Sequence, residues 1–339
     1  MVIVNKCGVG HLRMRAAIYQ RYGPPEVEHL AEVERPVPKD DEILIKVHAA
    51  TVNRTDCGHR RARPFFFRLF LGLLRPKVQI LGGEFAGEVD TLGPSVTKFK
   101  SGDRVFGMTT DGRRAHAQFL CLSEKAPLAI IPANVSFNEA AGVCIGAIQA
   151  LTCLRPQAPL KGQKILIYGA SGSIGTAAVQ LAKFYESHVT AVCNTKNLEI
   201  VRSLGADVTI DYTVEDFTKN AERYDIIFDA VGKHSFLRCR HSLVHGGIFA
   251  VADMGYMWQN PFLGLATSIF RAKRVKLPFS SHSDPVDDVL LLQGLMETGK
   301  YRAVIDRCYP LEEVVQANRY VETEQKTGNV VLTIDHDPS

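Results

Sequence analysis

The sequence predicts an α/β protein with two kinds of sheet, an antiparallel β barrel or sandwich in the first half and a parallel, doubly wound sheet in the second. Three observations carry this. Up to about Leu128, short alternating runs are separated by turn residues; beyond residue 138, continuous apolar runs alternate with helical stretches; and the first of those runs feeds a glycine-rich loop. A length of 339 residues suits two domains better than one.

In the first half, strands are expected at residues 15–19, 42–50, 84–92, 104–108 and 118–122, with Ile43, Ile45 and Val47 alternating in the second. Gly23-Pro24-Pro25, Gly93-Pro94 and Ser101-Gly102-Asp103 break the runs, since Pro presets φ and Gly frees it where a chain must turn. Near Ser136 the texture changes. Ser136 followed by Glu139 has capping-box spacing, and an Ala-rich helical stretch runs on to Leu154. Apolar strands then fall at 164–168, 188–193, 208–211, 226–230 and 248–252, with helices over 174–185 and 198–204. Residues 330–334 form one more strand, whose partner the sequence does not name.

Composition narrows the function. Forty Lys and Arg against 36 Asp and Glu give a charge of +4, and no basic run is dense enough for a nucleic-acid footprint. The eight cysteines, at 7, 57, 121, 144, 153, 193, 239 and 308, form no CxxC pair and read as reduced thiols, so a cytoplasmic location is expected. The longest apolar tract, 65–74, is interrupted by Arg68 and is about half the roughly 20 residues a spanning helix needs, so no transmembrane segment is expected. Residues 1–13 contain Lys6, His11 and Arg13 without an apolar core, which does not read as a secretory signal, and Met14 offers an alternative start.

The strongest motif is KILIYGASGSIGTAAVQLAK, where a buried strand runs into Gly169, Gly172 and Gly175 and then into an apolar helix. Such a loop needs glycine for a tight turn, for backbone approach to a pyrophosphate and for helix–strand packing, while free amides at the helix start hold phosphate. Ser171, Ser173 and Ile174 fall within this expected dinucleotide site. Tyr212 and Val231, directly after the third and fourth parallel strands, are counted with it. An NAD enzyme would carry a carboxylate after the second strand to bind the ribose 2′-hydroxyl. Here the residues are Asn194, Thr195 and Lys196, which suit a 2′-phosphate and predict NADPH; Lys196 as a solvated helix-start residue is the alternative.

With these motifs in order, the sequence resembles the medium-chain dehydrogenase/reductase superfamily, specifically its zinc-independent quinone oxidoreductases related to zeta-crystallin. Beyond the loop, the resemblance rests on AATVNRTD at 49–56, GGEFAG at 82–87, KSGDRV at 100–105, SLGAD at 203–207 and GNVVL at 328–332. It implies a GroES-like, partly open β-barrel domain over residues 1–138 with 296–339, around an inserted Rossmann domain over 139–295. In the alcohol dehydrogenase branch a Cys, a His and a second Cys bind catalytic zinc. Here those positions look like Asn53, Gly83 and Ile145, and no cluster of four cysteines follows Gly107, so no metal is predicted. His241 and His245 have i, i+4 spacing but no third donor, and read as cations at a helix C-terminus.

Without a metal, the hydride acceptor must itself be electrophilic: a quinone or an α,β-unsaturated carbonyl. By resemblance Asn53 faces the nicotinamide and orients the acceptor. Asp56 is either a turn partner or catalytic, and His59 or Cys57 is a candidate proton source. Gln149 stands where the family's Thr lies near the nicotinamide, a departure that bears on local cofactor contacts. Two apolar, basic segments, 63–76 and 258–274, are expected to line a pocket for a lipophilic acceptor with Phe66, Phe70, Phe262 and Leu265; core packing and shallow membrane contact are the alternatives. A homodimer is expected. A non-catalytic NADPH-binding adapter and an alcohol dehydrogenase-like enzyme are the other functional readings.

Overall fold

The computed structural model describes residues 12–63, 65, 68–157, 160–252, 263–264, 267, 273–276 and 284–336. The chain begins with an antiparallel ribbon of β1 (Arg13–Tyr19) and β2 (Glu28–Glu34). The sequence of β2, EHLAEVE, has no apolar run; it forms because β1 offers a full-length edge.

A seven-stranded sheet follows, built from β3 (Glu42–Val52), β4 (Glu84–Leu92), β5 (Arg104–Met108), β6 (Phe119–Ser123), β7 (Leu128–Ile130), β14 (Ile305–Pro310) and β15 (Asn329–Thr333). Its order is β14-β15-β3-β4-β5-β7, with β6 also paired to β3. The tail strand thus finds its partner in β3, antiparallel, with Val331 opposite Thr51. The C-terminus therefore completes the N-terminal sheet.

Between these strands lies a six-stranded, all-parallel sheet of β8 (Lys164–Tyr168), β9 (His188–Cys193), β10 (Val208–Asp211), β11 (Tyr224–Asp229), β12 (Leu243–Val251) and β13 (Arg274–Lys276). Its order, β10-β9-β8-β11-β12-β13, reverses direction between β8 and β11. In a doubly wound sheet that reversal opens a crevice at the carboxyl ends of the two strands, where ligands bind.

The helices are α1 (Arg54–Arg61), α2 (Arg68–Leu71), α3 (Phe137–Ala141), α4 (Cys144–Leu154), α5 (Ser173–Phe184), α6 (Leu198–Ser203), α7 (Phe236–Cys239), α8 (Pro285–Glu297) and α9 (Val314–Glu322). The Ser136–Glu139 capping box is present, with Ser136 accepting from the Glu139 amide and Glu139 from the Ser136 amide. Gly142 then ends α3, so the expected Ala-rich helix is two helices. One core joins the two sheets: Ala49, Ala86 and Phe106 from the first pack with Ala147, Leu151, Ile165 and Ala178 around α4 and α5.

The pair His241 and His245 does not share a helix. His241 sits in a 3₁₀ turn, Arg240–Ser242, and His245 on β12, which begins earlier than its apolar core because β11 supplies a partner at Leu243. All seven cysteines among the described residues are free. No helix among those residues is long and apolar enough to cross a membrane.

Candidate functional site

At the switch point β8 ends and the chain turns through Gly169, whose φ of +75° belongs to glycine. The three glycines do different work. A Cβ on Gly169 would fall 2.6 Å from Val231 Cγ1, and one on Gly175 would fall 2.1 Å from the Gly169 carbonyl oxygen, so both seal the turn against its neighbours. A Cβ on Gly172 would meet only the Gly169 oxygen, at 3.6 Å. Gly172 is the N-cap of α5, in extended conformation, and its missing side chain leaves open space on the cleft beside the helix N-terminus.

That cleft has a volume of about 350 Å³ and runs between the glycine loop and the start of α1. One wall holds Gly169, Ser171, Gly172, Ser173, Ile174 and Gly175, with Val231 and Asn194 from the neighbouring strand ends. Tyr212, 46% exposed, flanks the same end. Asn53 and Ile145 stand on the opposite wall. The C-terminal segment closes the cleft: Gly328 N donates to Ser171 O at 2.7 Å, and Thr327 Oγ1 donates to Asn197 Oδ1 at 2.8 Å.

Two polar atoms in the cleft are buried and without a protein partner, Asn53 Nδ2 and Asn194 Oδ1. Buried polar groups are normally satisfied, so these two fit a ligand that supplies an acceptor at one end and a donor at the other. Together with the open cradle at Gly172, they fit a dinucleotide. Thr195 and Lys196 lie beside this cleft rather than in its wall: Thr195 Oγ1 donates to Asp211 Oδ2 at 2.5 Å, and Lys196 Nζ donates to Gln325 O at 3.1 Å. Asp211 is a carboxylate the sequence did not place here, because it comes from the end of β10. Hydroxyls of Thr195 and Thr213 hold its carboxyl below the usual range.

At the other end, Asn53 caps α1. Its Oδ1 accepts from Thr55 N at 2.8 Å and Asp56 N at 3.2 Å, which aims Nδ2 elsewhere. Of the two readings of Asp56, the geometry favours the turn partner. Its carboxylate is buried, accepts from Asn53 N at 2.9 Å and Gly82 N at 3.0 Å, and lies outside the cleft wall. His59 is also outside that wall, and burial pulls its imidazole below the ordinary range, away from a neutral-pH proton donor. Cys57 is buried against Asn318, with its thiol pushed up to about 12. Gln149 does not line the cleft either, and its Nε2 is buried without a partner.

Phe70 does not face a pocket. It is 72% exposed, because Leu71 takes the buried position and Gly72 O accepts from Tyr22 Oη at 2.7 Å, turning the rest of the segment outward. Phe66, Phe262 and Leu265 lie outside the described residues.

The positions that look like the zinc ligands of the resembling branch, Asn53, Gly83 and Ile145, lie near one another. A Cβ on Gly83 would touch Ile145 Cδ1 at 3.0 Å, and Ile145 shares the wall with Asn53. A carboxamide, a glycine and an alkyl side chain do not make a zinc site, which takes thiolate, imidazole or carboxylate donors. Among the described residues no group of three or more His, Cys, Asp or Glu is placed to hold a metal.

Several lining residues were given no site role from the sequence, among them Arg54, Lys233, Glu324 and Lys326, and Glu84 lies behind the wall beneath Ile145. Glu324 Oε1 lies 3.2 Å from Arg54 Nη2 and its Oε2 2.9 Å from Lys233 Nζ, which ties α1, the β11 loop and the end of α9 across the cleft. Lys326 lines the cleft and donates to Gly328 O; desolvation lowers its ammonium to about 8, against the opposing pull of Glu84. Glu84 is fully buried, accepting from Thr51 Oγ1 at 2.6 Å and Ile145 N at 2.7 Å, and burial raises it to about 7. No local pattern marks Glu324 and Lys326, which the return of the C-terminus to the loop brings here, whereas Arg54 and Glu84 fall within the AATVNRTD and GGEFAG stretches.

Comparison with known proteins agrees with this architecture. Residues 39–164 match the alcohol dehydrogenase GroES-like domain and residues 204–332 the zinc-binding dehydrogenase family. The chain is 31% identical over 334 residues to an NADPH-dependent alkenal/one oxidoreductase of Arabidopsis thaliana, covering 94% of this chain and 79% of that protein. It is 29% identical to the quinone oxidoreductase of Sus scrofa over 96% of this chain and 99% of that one. The solved quinone oxidoreductase of Coxiella burnetii superposes with a TM-score of 0.82 at 27% identity, covering 96% of this chain and all of that one. A parallel sheet with a glycine loop at its switch point, completed by a GroES-like domain and matched over nearly the whole chain, places this oxidoreductase in the medium-chain dehydrogenase/reductase family.

Proposed function

We propose that the protein reduces a quinone or an α,β-unsaturated carbonyl with NADPH and without a metal, residues 139–295 holding the cofactor and 1–138 with 296–339 the acceptor. The observation that carries this reading is the cleft itself. The glycine cradle faces an unpartnered amide donor, Asn53 Nδ2, where the resemblance would put a metal ligand. Relatives described as an alkenal/one oxidoreductase and a quinone oxidoreductase support the acceptor class.

NADPH would supply the hydride when bound. Asn53 Nδ2 donates a hydrogen bond to the acceptor oxygen and stabilises the oxyanion that develops there, as a preorganised dipole does. Lys326, protonated below about pH 8, then donates a proton to the reduced acceptor. The C-terminal segment excludes water from this end by its bonds to Ser171 and Asn197.

A panel of quinones and enals, read by NADPH oxidation after chelator treatment, tests the reading. Oxidation by at least one class with no bound zinc on elemental analysis is expected. Binding of NADPH with no turnover of any acceptor, or stoichiometric zinc needed for turnover, would sink it.

Two variants test the roles. Lys196→Glu is expected to weaken NADPH by roughly 10- to 100-fold and NADH far less, since a carboxylate beside the 2′-phosphate repels it; equal weakening of both cofactors argues against Lys196 reading the phosphate. Lys326→Met is expected to lower kcat by roughly 100-fold or more and to remove the fall in rate above about pH 8. An unchanged alkaline limb excludes Lys326 as the proton donor.

A further inference from the structure

We propose that the segment around α2 is a docking surface for anionic phospholipid membranes, holding the protein peripherally on a bilayer. The apolar part of this surface is unusually concentrated. Phe65, Leu69, Phe70, Leu73 and Leu74, within ten consecutive residues, are 67%, 68%, 72%, 57% and 84% exposed. Exposed large apolar side chains on a monomer are usually scattered singly, so five within ten residues call for a partner. The segment is held in this pose: Leu71 is buried, Lys77 N donates to Leu71 O at 2.8 Å, and Arg68 packs its guanidinium 4.7 Å from the Phe65 ring centroid and 4.8 Å from that of Tyr22.

Charge selects the partner. From residue 57 to residue 83 the chain has six Arg and Lys and no Asp or Glu. Arg60 and Arg61 are taken up by Glu28 and Glu322. Arg63, Arg75 and Lys77 remain exposed and flank the apolar side chains in sequence. Leucine and phenylalanine with a rim of arginine match the boundary of an anionic bilayer, where acyl chains receive the apolar groups and headgroup phosphates the cations. A second copy of the chain fits less well. A two-fold interface sets a patch against itself, so this basic rim would face its own image. No described helix spans a membrane, which makes the contact superficial. The proposal is independent of which acceptor the cleft reduces.

Co-sedimentation with vesicles of phosphatidylcholine, alone or with one third phosphatidylglycerol, tests it. The protein is expected to bind the anionic vesicles at least about fivefold better and to release them at roughly 0.5 M salt, where screening leaves only short-range attraction. Phe70→Glu with Leu74→Glu should abolish binding, whereas Val37→Glu, at an 82% exposed valine elsewhere, should retain it. Melting temperatures check that each variant is folded, and Arg63→Gln with Arg75→Gln, both on exposed side chains, should lower anionic binding even if the first pair does not fold. Equal binding to neutral and anionic vesicles, or none to either, overturns the proposal. So does a double variant that binds as the parent does. A smaller assembly on sedimentation of Phe70→Glu/Leu74→Glu, in a parent that ignores vesicles, would instead assign the patch to contact between subunits.

Discussion

Gly172→Val is expected to raise the NADPH dissociation constant by roughly 100-fold or more, about 3 kcal/mol, and the NADH constant by a similar factor. The reasons are geometric. Gly172 is extended, with φ −77° and ψ 175°, a conformation that valine adopts without strain. A Cβ there meets only one protein atom, at 3.6 Å, so the new branch points into the cleft. That space lies at the N-terminus of α5, where the amides that hold a pyrophosphate are aimed. Valine is a poor N-cap, but glycine contributes no side-chain cap to lose, so stability should fall by about 1 kcal/mol at most. Titration of the folded variant by cofactor fluorescence or calorimetry reads the effect, and an unchanged dissociation constant would remove the loop from phosphate binding. Gly175→Ala is the contrasting case. Its Cβ would lie 2.1 Å from the Gly169 oxygen, and that backbone clash should lower stability as well as affinity.

Arg60→Met should cost about 3–5 kcal/mol of stability, the range for removing one partner of a buried ion pair. The Arg60 side chain is fully buried on α1. It reaches Glu28 Oε1 at 3.1 Å and Gly23 O at 3.4 Å, and also bonds Glu322 and Asn318 of α9. One guanidinium thus joins the β1–β2 ribbon to α1 and the C-terminal helix. Glu28 is only 3% exposed, and burial already raises its carboxyl above the ordinary value despite the pull of His116 and Arg60. Without Arg60 that rise grows. A carboxyl whose folded pKa lies above its unfolded one favours the folded state less as pH climbs through the interval between them. The deficit of Arg60→Met should therefore be smallest near pH 4, where folded Glu28 is mostly protonated with or without Arg60, and largest at neutral pH. Urea unfolding at the two ends of that range, with Glu28→Gln added to Arg60→Met as the partial rescue, measures it. A deficit that ignores pH would mean that lost packing, not the stranded carboxylate, is responsible.

Short-range chemistry determined much of this protein before any fold was known. The parallel strands at β8, β9 and β11, the turn at Gly169 and the capping box at Ser136 all depend on residues a few positions apart, so periodicity and turn preference were enough to find them. The same local signal marked Gly172 and Asn194 as cleft residues, while Asn53 was reached through the family resemblance. Tertiary structure decided the rest, because burial depends on what distant segments cover. Strand β2, EHLAEVE, alternates only over Ala31–Glu34 and strand β14, IDRCYP, not at all, and each forms by pairing, with β1 and β15. Asp56 became structural once Gly82 N reached its carboxylate, and Phe70 turned outward once Leu71 took the inward position. Lys326 and Glu324 are ordinary surface residues by sequence. They enter the cleft because β15 pairs with β3 and draws residues 323–328 across the glycine loop, a contact between chain segments more than 150 residues apart that no local pattern encodes.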